Sequence, residues 1–140
     1  RVASASASVQ LPQAVLEALG DSTIEDCISA KGAIGPMAVT AGILGAKATP
    51  NVLPLCHPLP LSRCDVQLHS QRAADGASAI LTITTTTASS HSTGVEMEAL
   101  MAASSAALAV YDMLKAVSHD IVISDIQLLS KSGGKRVFHR

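Results

Sequence analysis

The stretch Gly94–Val117 constrains the fold most. It is rich in Ala, has no Gly or Pro after its first residue, and is apolar on almost every side. Such a pattern predicts one long helix, and a helix without a polar face has to be buried. The remaining segments must therefore supply its cover. Val2–Leu11 reads V-A-S-A-S-A-S-V-Q-L, a strict alternation that places Ser4, Ser6, Ser8 and Gln10 together. A period of two predicts a strand with one wet face.

Other elements follow from punctuation. Pro12 opens a short helix to Leu19, closed by Gly20-Asp21. Lys31-Gly32 marks a turn, and Met37–Lys47 reads as a helix whose Ala38, Gly42 and Ala46 recur four apart as a smooth seam. Gly42 and Gly45 thus read as helix packing rather than a dinucleotide fingerprint. Pro50, Pro54, Pro58 and Pro60 then forbid regular structure and predict a stiff extended segment holding Cys56-His57. Cys64–Arg72 and Ser78–Ala88 alternate as strands around the Ala73-Ala74-Asp75-Gly76 turn of a hairpin. The Ser/Thr/His run Thr84–Thr93 reads as a mobile loop, Ile121–Leu129 as a last strand, and Ser130–Arg140 as a polar tail. The order β-α-α-β-β-α-β over residues 1–140 predicts one α+β domain of ferredoxin-like kind, an antiparallel sheet with helices packed on one face.

Composition narrows the function. Ten Lys+Arg against eleven Asp+Glu leave a net charge of −1, so neither a basic nucleic-acid surface nor an acidic tail is expected. Aromatic residues are 1% of the chain, too few for the stacking that single-stranded nucleic acid needs. Charged residues are only 15%, against about 25% in ordinary domains. So thin a charged cover predicts burial against other copies of the chain. Gly32–Ala46 and Ala99–Tyr111 are too short or too broken for a membrane span. Cys27, Cys56 and Cys64 are odd in number and lack CxxC spacing, which predicts reduced thiols, in a cytoplasm or an organelle matrix. The first residues, Arg1-Val2, predict further sequence upstream.

Five lysines stand at structured places: Lys31 before a glycine turn, Lys47 before the proline segment, Lys131 and Lys135 around Ser132-Gly133-Gly134, and Lys115 on the long helix. Asp112 and Lys115 are three residues apart. One reading is an ordinary i, i+3 ion pair. The other is a proton-transfer pair whose burial lowers the lysine pKa. Glu96 and Glu98 suit the helix N-terminus. Glu98 and Asp112 lie about 21 Å apart along one straight helix. A small ligand touching both needs two chains. Cys56-His57 lacks the spaced partner of a zinc site, so no metal is assigned, and His57 reads as a positioned hydrogen-bond donor. Ser132–Lys135 has the composition of a phosphate cradle without the P-loop pattern, since Leu129 stands where the first Gly belongs.

Three blocks of these residues carry a resemblance. Lys31-Gly32, Ala41-Gly42-Ile43, Ala46-Lys47 and Leu53-Pro54-Leu55-Cys56-His57-Pro58-Leu59 form the first. Thr93–Leu100, Ala106-Ala107-Leu108, Tyr111-Asp112-Met113 and Lys115-Ala116-Val117 form the second, and Leu128-Leu129 with Lys131–Lys135 the third. Together they resemble the MoaC family, the cyclic pyranopterin monophosphate synthases of molybdenum cofactor biosynthesis. The resemblance implies a ferredoxin-like fold and a homo-hexamer built as a trimer of dimers, with active sites at the dimer interface. It implies a lyase of phosphorus–oxygen type that converts 3',8-cyclo-7,8-dihydro-GTP to the cyclic pyranopterin and releases diphosphate. The substrate would come from a radical S-adenosylmethionine enzyme, and no cofactor is implied. By motif, Asp112 and Lys115 would be the catalytic pair, with Lys31 a second essential amine. Leu55, Cys56, His57, Met97 and Glu98 would line the substrate site, Lys131 would bind phosphates, and Arg1 would sit near the triphosphate. The third block departs from the family pattern at Arg136-Val137-Phe138, and the Thr84–Ser92 loop lacks the basic residue often found in the family before Thr93-Gly94. Two other classes remain open: a non-catalytic nucleotide-triphosphate sensor, and a purely structural assembly module.

Overall fold

The alternating N-terminal segment becomes the central strand. In a computed structural model describing residues 1–140, β1 (Val2–Pro12) is followed by α1 (Gln13–Leu19), a 3-10 turn (Ile24–Asp26) and the small pair β2 (Ile28–Ser29) and β3 (Gly32–Ala33). Then come α2 (Ile34–Val52), β4 (Arg63–Arg72), β5 (Ser78–Ala88), α3 (Glu96–Leu114), β6 (Val122–Ser132) and β7 (Phe138–His139). The main sheet runs β4-β5-β1-β6-β7, and every pair is antiparallel. Strands β1, β4, β5 and β6 with α2 and α3 thus trace the ferredoxin-like order.

The alternation decides which face is covered. Ala3, Ala5, Ala7, Val9 and Leu11 of β1 are buried beside Ala79, Leu81 and Ile83 of β5. Against them lie Ala99, Ala103, Ala106, Ala107 and Val110 of α3. On the other face Ser4 and Thr86 share a hydrogen bond of 2.9 Å, and Ser6 is only 8% exposed, so this face is less wet than alternation alone suggests.

Small side chains bring α2 and α3 together. A Cβ on Gly42 would meet Val66 Cγ2 at 2.9 Å and Ala102 O at 3.1 Å. One on Gly45 would strike the Ser105 side chain and approach Met101 O to 2.9 Å. The seam expected from Ala38, Gly42 and Ala46 is therefore present, with Gly45 as its tightest point. Replacing a helical Gly by Ala ordinarily adds ~1 kcal/mol of stability. Overpacking costs ~1–3 kcal/mol. Gly45→Ala is expected to lose up to about 2 kcal/mol in urea unfolding at equilibrium; a gain would mean the seam has slack.

Three local expectations change. Helix α2 continues through Pro50 to Val52, although Pro50 removes a backbone donor. The Thr49 hydroxyl donates to Ala46 O at 2.9 Å and so serves the carbonyl that Pro50 cannot. The strand expected over Ser78–Ala88 is present in full and takes Thr84–Ala88 from the run also read as a loop: Thr85 and Thr87 are fully buried and donate to Ala99 O and Val95 O, at 2.8 and 3.0 Å. Helix α3 is not buried all round, since Leu108 is 60% exposed on its outer side. Its length and composition alone are those of a membrane span, but half of it is buried by its own sheet and by α2. It is the core helix of this fold.

Candidate active site

The residues singled out by sequence gather at the two ends of α3. At its C-terminal end, Asp112 sits in the last turn, where the helix dipole disfavours a carboxylate. Two ammonium groups compensate. Lys115 Nζ lies 2.7 Å from Asp112 Oδ1, and Lys31 Nζ lies 2.6 Å from Oδ2. Lys31 also donates to the Asp112 carbonyl at 2.9 Å, satisfying a helix-end acceptor. Lys31 arrives on the β2–β3 turn, where Ser29 Oγ accepts from Lys31 N and donates to Gly32 O.

Electrostatics follow from that geometry. Hydrogen bonds from Lys115 and Lys31 hold the Asp112 carboxyl down at about 2. Asp112 in turn pushes the Lys115 ammonium up. Of the two readings of this pair, the ordinary ion pair is the one met within a single subunit, and the lysine pKa is not lowered there. Burial would be needed to lower it, and the side chains are open instead, at 53% for Asp112 and 48% for Lys115. The i, i+3 ion pair is real, and within one subunit it is solvated.

At the N-terminal end two clefts adjoin. One, of about 390 Å³, is lined by Arg1, Lys131, Lys135 and Arg136, with Ser92, Gly94 and Glu96. The other, of about 350 Å³, is lined by Leu55, Cys56, His57 and Leu59 of the proline segment and by Thr93, Gly94, Glu96, Met97 and Glu98. Gly94 and Glu96 border both.

Threonines of β5 fix this end. The bonds from Thr85 and Thr87 to Ala99 O and Val95 O pin the first turn of α3 to the sheet, so Glu96, Met97 and Glu98 are placed from below. Glu96 Oε1 receives Lys131 Nζ at 2.6 Å. Burial pushes the Glu96 carboxyl up, but the Lys131 hydrogen bond and charge outweigh it and leave it below the usual range. Glu98 is 4% exposed with no such partner, and burial pushes its carboxyl up. Arg1 donates through its guanidinium to Gly133 O, folding the Ser132–Arg136 turn over the first cleft. Gly133 stands at φ +82, a left-handed conformation that favours glycine.

The structure therefore brings Leu55, Cys56, His57, Met97 and Glu98 to one cleft, and Arg1 and Lys131 to its neighbour. It does not bring Lys31, Asp112 and Lys115 to either. No His, Cys, Asp or Glu cluster suited to a metal ion forms around Cys56-His57. Lys135 and Arg136 were not assigned to the site by sequence; the first was visible only as part of a phosphate-like turn, the second only as a departure. The roles of Thr85 and Thr87 left no signal beyond alternation.

The clefts combine a cationic half with a partly apolar, hydrogen-bonding half. That pairing fits a ring compound carrying several phosphates.

Comparison with known proteins agrees with the motifs. The MoaC family pattern matches residues 1–134. The cyclic pyranopterin monophosphate synthase of Staphylococcus haemolyticus is 43% identical over 135 residues, covering 96% of this chain and 81% of that protein. That of Xanthomonas campestris pv. campestris is 46% identical over 137 residues, covering 97% of this chain and 78% of that protein. Molybdenum cofactor biosynthesis protein 1 of Drosophila melanogaster is 46% identical over 140 residues, but this chain spans only 23% of its length.

Proposed function

The chain belongs to the MoaC family, and from that premise we propose that it is a cyclic pyranopterin monophosphate synthase of molybdenum cofactor biosynthesis. It acts as a phosphorus–oxygen lyase, converting 3',8-cyclo-7,8-dihydro-GTP to the cyclic pyranopterin with loss of diphosphate. The observation that carries this reading is the pair of clefts meeting at Glu96, one with four cationic side chains and one lined by Cys56, His57 and Glu98. The first suits a triphosphate and the second a guanine-derived ring.

Arg1 and Lys131 neutralise charge as a hydroxyl attacks the α-phosphorus and diphosphate departs. Such clamps matter most when the leaving group gathers charge. For Lys131 to bind phosphate, Glu96 has to yield its present hydrogen bond. His57 and Glu98 orient the ring through hydrogen bonds, with Leu55, Cys56 and Met97 against its apolar surface. Opening one ring and closing the pterin require protons to move to and from nitrogen and carbon. Lys115 serves first as the ammonium donor, and the amine that remains takes a proton back. Asp112 stays ionised and holds both Lys115 and Lys31 in place.

This chemistry needs Asp112 and the clefts at one substrate. Along α3 they are about 21 Å apart. We therefore place the catalytic triad of one subunit against the clefts of another, in a hexamer of three dimers. Exposed apolar side chains favour such an assembly: Leu44 and Leu108 are each 60% exposed and Leu55 is 92% exposed. Enclosure by a second copy would also exclude water from the Lys115–Asp112 pair and strengthen its electrostatic hold on the substrate. The substrate is supplied by a radical S-adenosylmethionine enzyme, and the setting is the cytoplasm.

Incubation with the cyclised nucleotide should release one diphosphate for each pyranopterin formed. Tight binding without diphosphate would identify a sensor, and no binding at all an assembly module.

A further inference from the structure

The proline segment that carries Cys56 and His57 has few ties to the rest of the fold. Within Cys56–Leu61 the backbone makes one local turn bond, from Cys56 N to Leu53 O, and the next backbone bond outward is from Ser62 N to Ala88 O. Between them, one hydrogen bond fastens the segment to the sheet. It runs from Ser89 Oγ to the Pro60 carbonyl at 2.8 Å. Leu59 and Leu61 add apolar contact with the core.

Ser89 is 3% exposed and uses every polar group it has. Its Oγ also accepts from His91 N at 3.2 Å, steadying the loop that leads to Glu96. Its own N–H donates to Arg1 O at 3.0 Å, and its carbonyl accepts from the Arg1 main-chain nitrogen at 2.8 Å. One buried serine thus joins three of the segments that line the two clefts: the proline segment, the Arg1 end of β1, and the loop before α3.

We propose that Ser89 is a positioning residue of the substrate site, its hydroxyl setting where His57 stands relative to Glu98 and Arg1. The inference rests on the function proposed above and goes beyond it. Prolines make the segment stiff within itself, so its freedom is that of a rigid arm hinged at its ends. Without the Pro60 bond the arm swings, and the competent placement of His57 is populated only part of the time. Substrate affinity falls by that fraction, and the chemistry at Lys115 and Asp112 does not.

Ser89→Ala in the assembled protein is expected to raise KM for the cyclised nucleotide about 10-fold, with kcat within about 2-fold. In a His57→Ala background the same substitution should add less than about 2-fold, because the effect passes through His57. An equal loss in both backgrounds, or a fall in kcat alone, overturns the proposal. Should Ser89→Ala fail to fold, Ser89→Cys, similar in size with a weak donor, enters the same cycle. A measurement without turnover separates this idea from the enzymatic reading. In proton–carbon NMR spectra the His57 ring signal should shift or broaden in Ser89→Ala while those of His69, His119 and His139 stay in place. An unmoved His57 signal rejects the positioning role even if the protein proves to be the proposed enzyme. A moved signal in a protein that releases no diphosphate supports the positioning and rejects the enzyme.

Discussion

Lys115→Ala is expected to leave a folded, assembled protein that releases diphosphate from the cyclised nucleotide about 10²–10⁴-fold more slowly. Folding should survive because the Lys115–Asp112 pair is solvated, with side chains near half exposure, and exposed pairs contribute little to stability. The loss falls instead on proton transfer. Asp112→Asn should slow the same step, because it removes the charge that holds Lys115 and Lys31 side by side. Binding of the nucleotide should change far less, since the clefts at the other end of α3 are untouched. A Lys115→Ala protein with near wild-type turnover would remove Lys115 from the chemistry.

Much of the architecture was legible in residue pattern because single rules governed it. Strict alternation in Val2–Leu11 fixed a strand whose apolar face must meet α3, and the Ala73–Gly76 turn could only join two neighbours. The seam between α2 and α3 was legible from its small residues. Where two rules competed, local pattern misled. Pro50 signalled a helix end, but a threonine one residue earlier supplies the missing donor to Ala46 O, and the helix persists. The threonines of Thr84–Ala88 looked polar enough for a loop. The hydroxyls of Thr85 and Thr87 are instead consumed by carbonyls at the start of α3, that of Thr86 pairs with Ser4, and the chain stays extended.

The site divides in the same way. Leu55, Cys56, His57, Met97 and Glu98 come from two contiguous motifs, and the structure places them in one cleft. Arg1 meets Lys131 only because β1 and β6 are neighbours, a pairing of residues from opposite ends of the chain. Lys31 reaches Asp112 across the fold for a similar reason. The sequence left two readings of Asp112 and Lys115, and the open side of α3 decides for the solvated ion pair within one subunit. In the proposed dimer, that open side is the one a second subunit covers.

The central claim, that one subunit's Asp112, Lys31 and Lys115 act on substrate held by another's clefts, makes a second large effect measurable. Lys131→Ala and Lys115→Ala proteins are each expected to be nearly inactive alone, the first for want of a phosphate clamp and the second of a proton donor. Unfolded together, mixed in equal amounts and refolded, they should regain diphosphate release to about a quarter of the wild-type rate, because half of randomly assembled dimers then contain one intact site of two. No recovery in a mixture shown by mass measurement to contain mixed oligomers would mean that each site is built within a single chain.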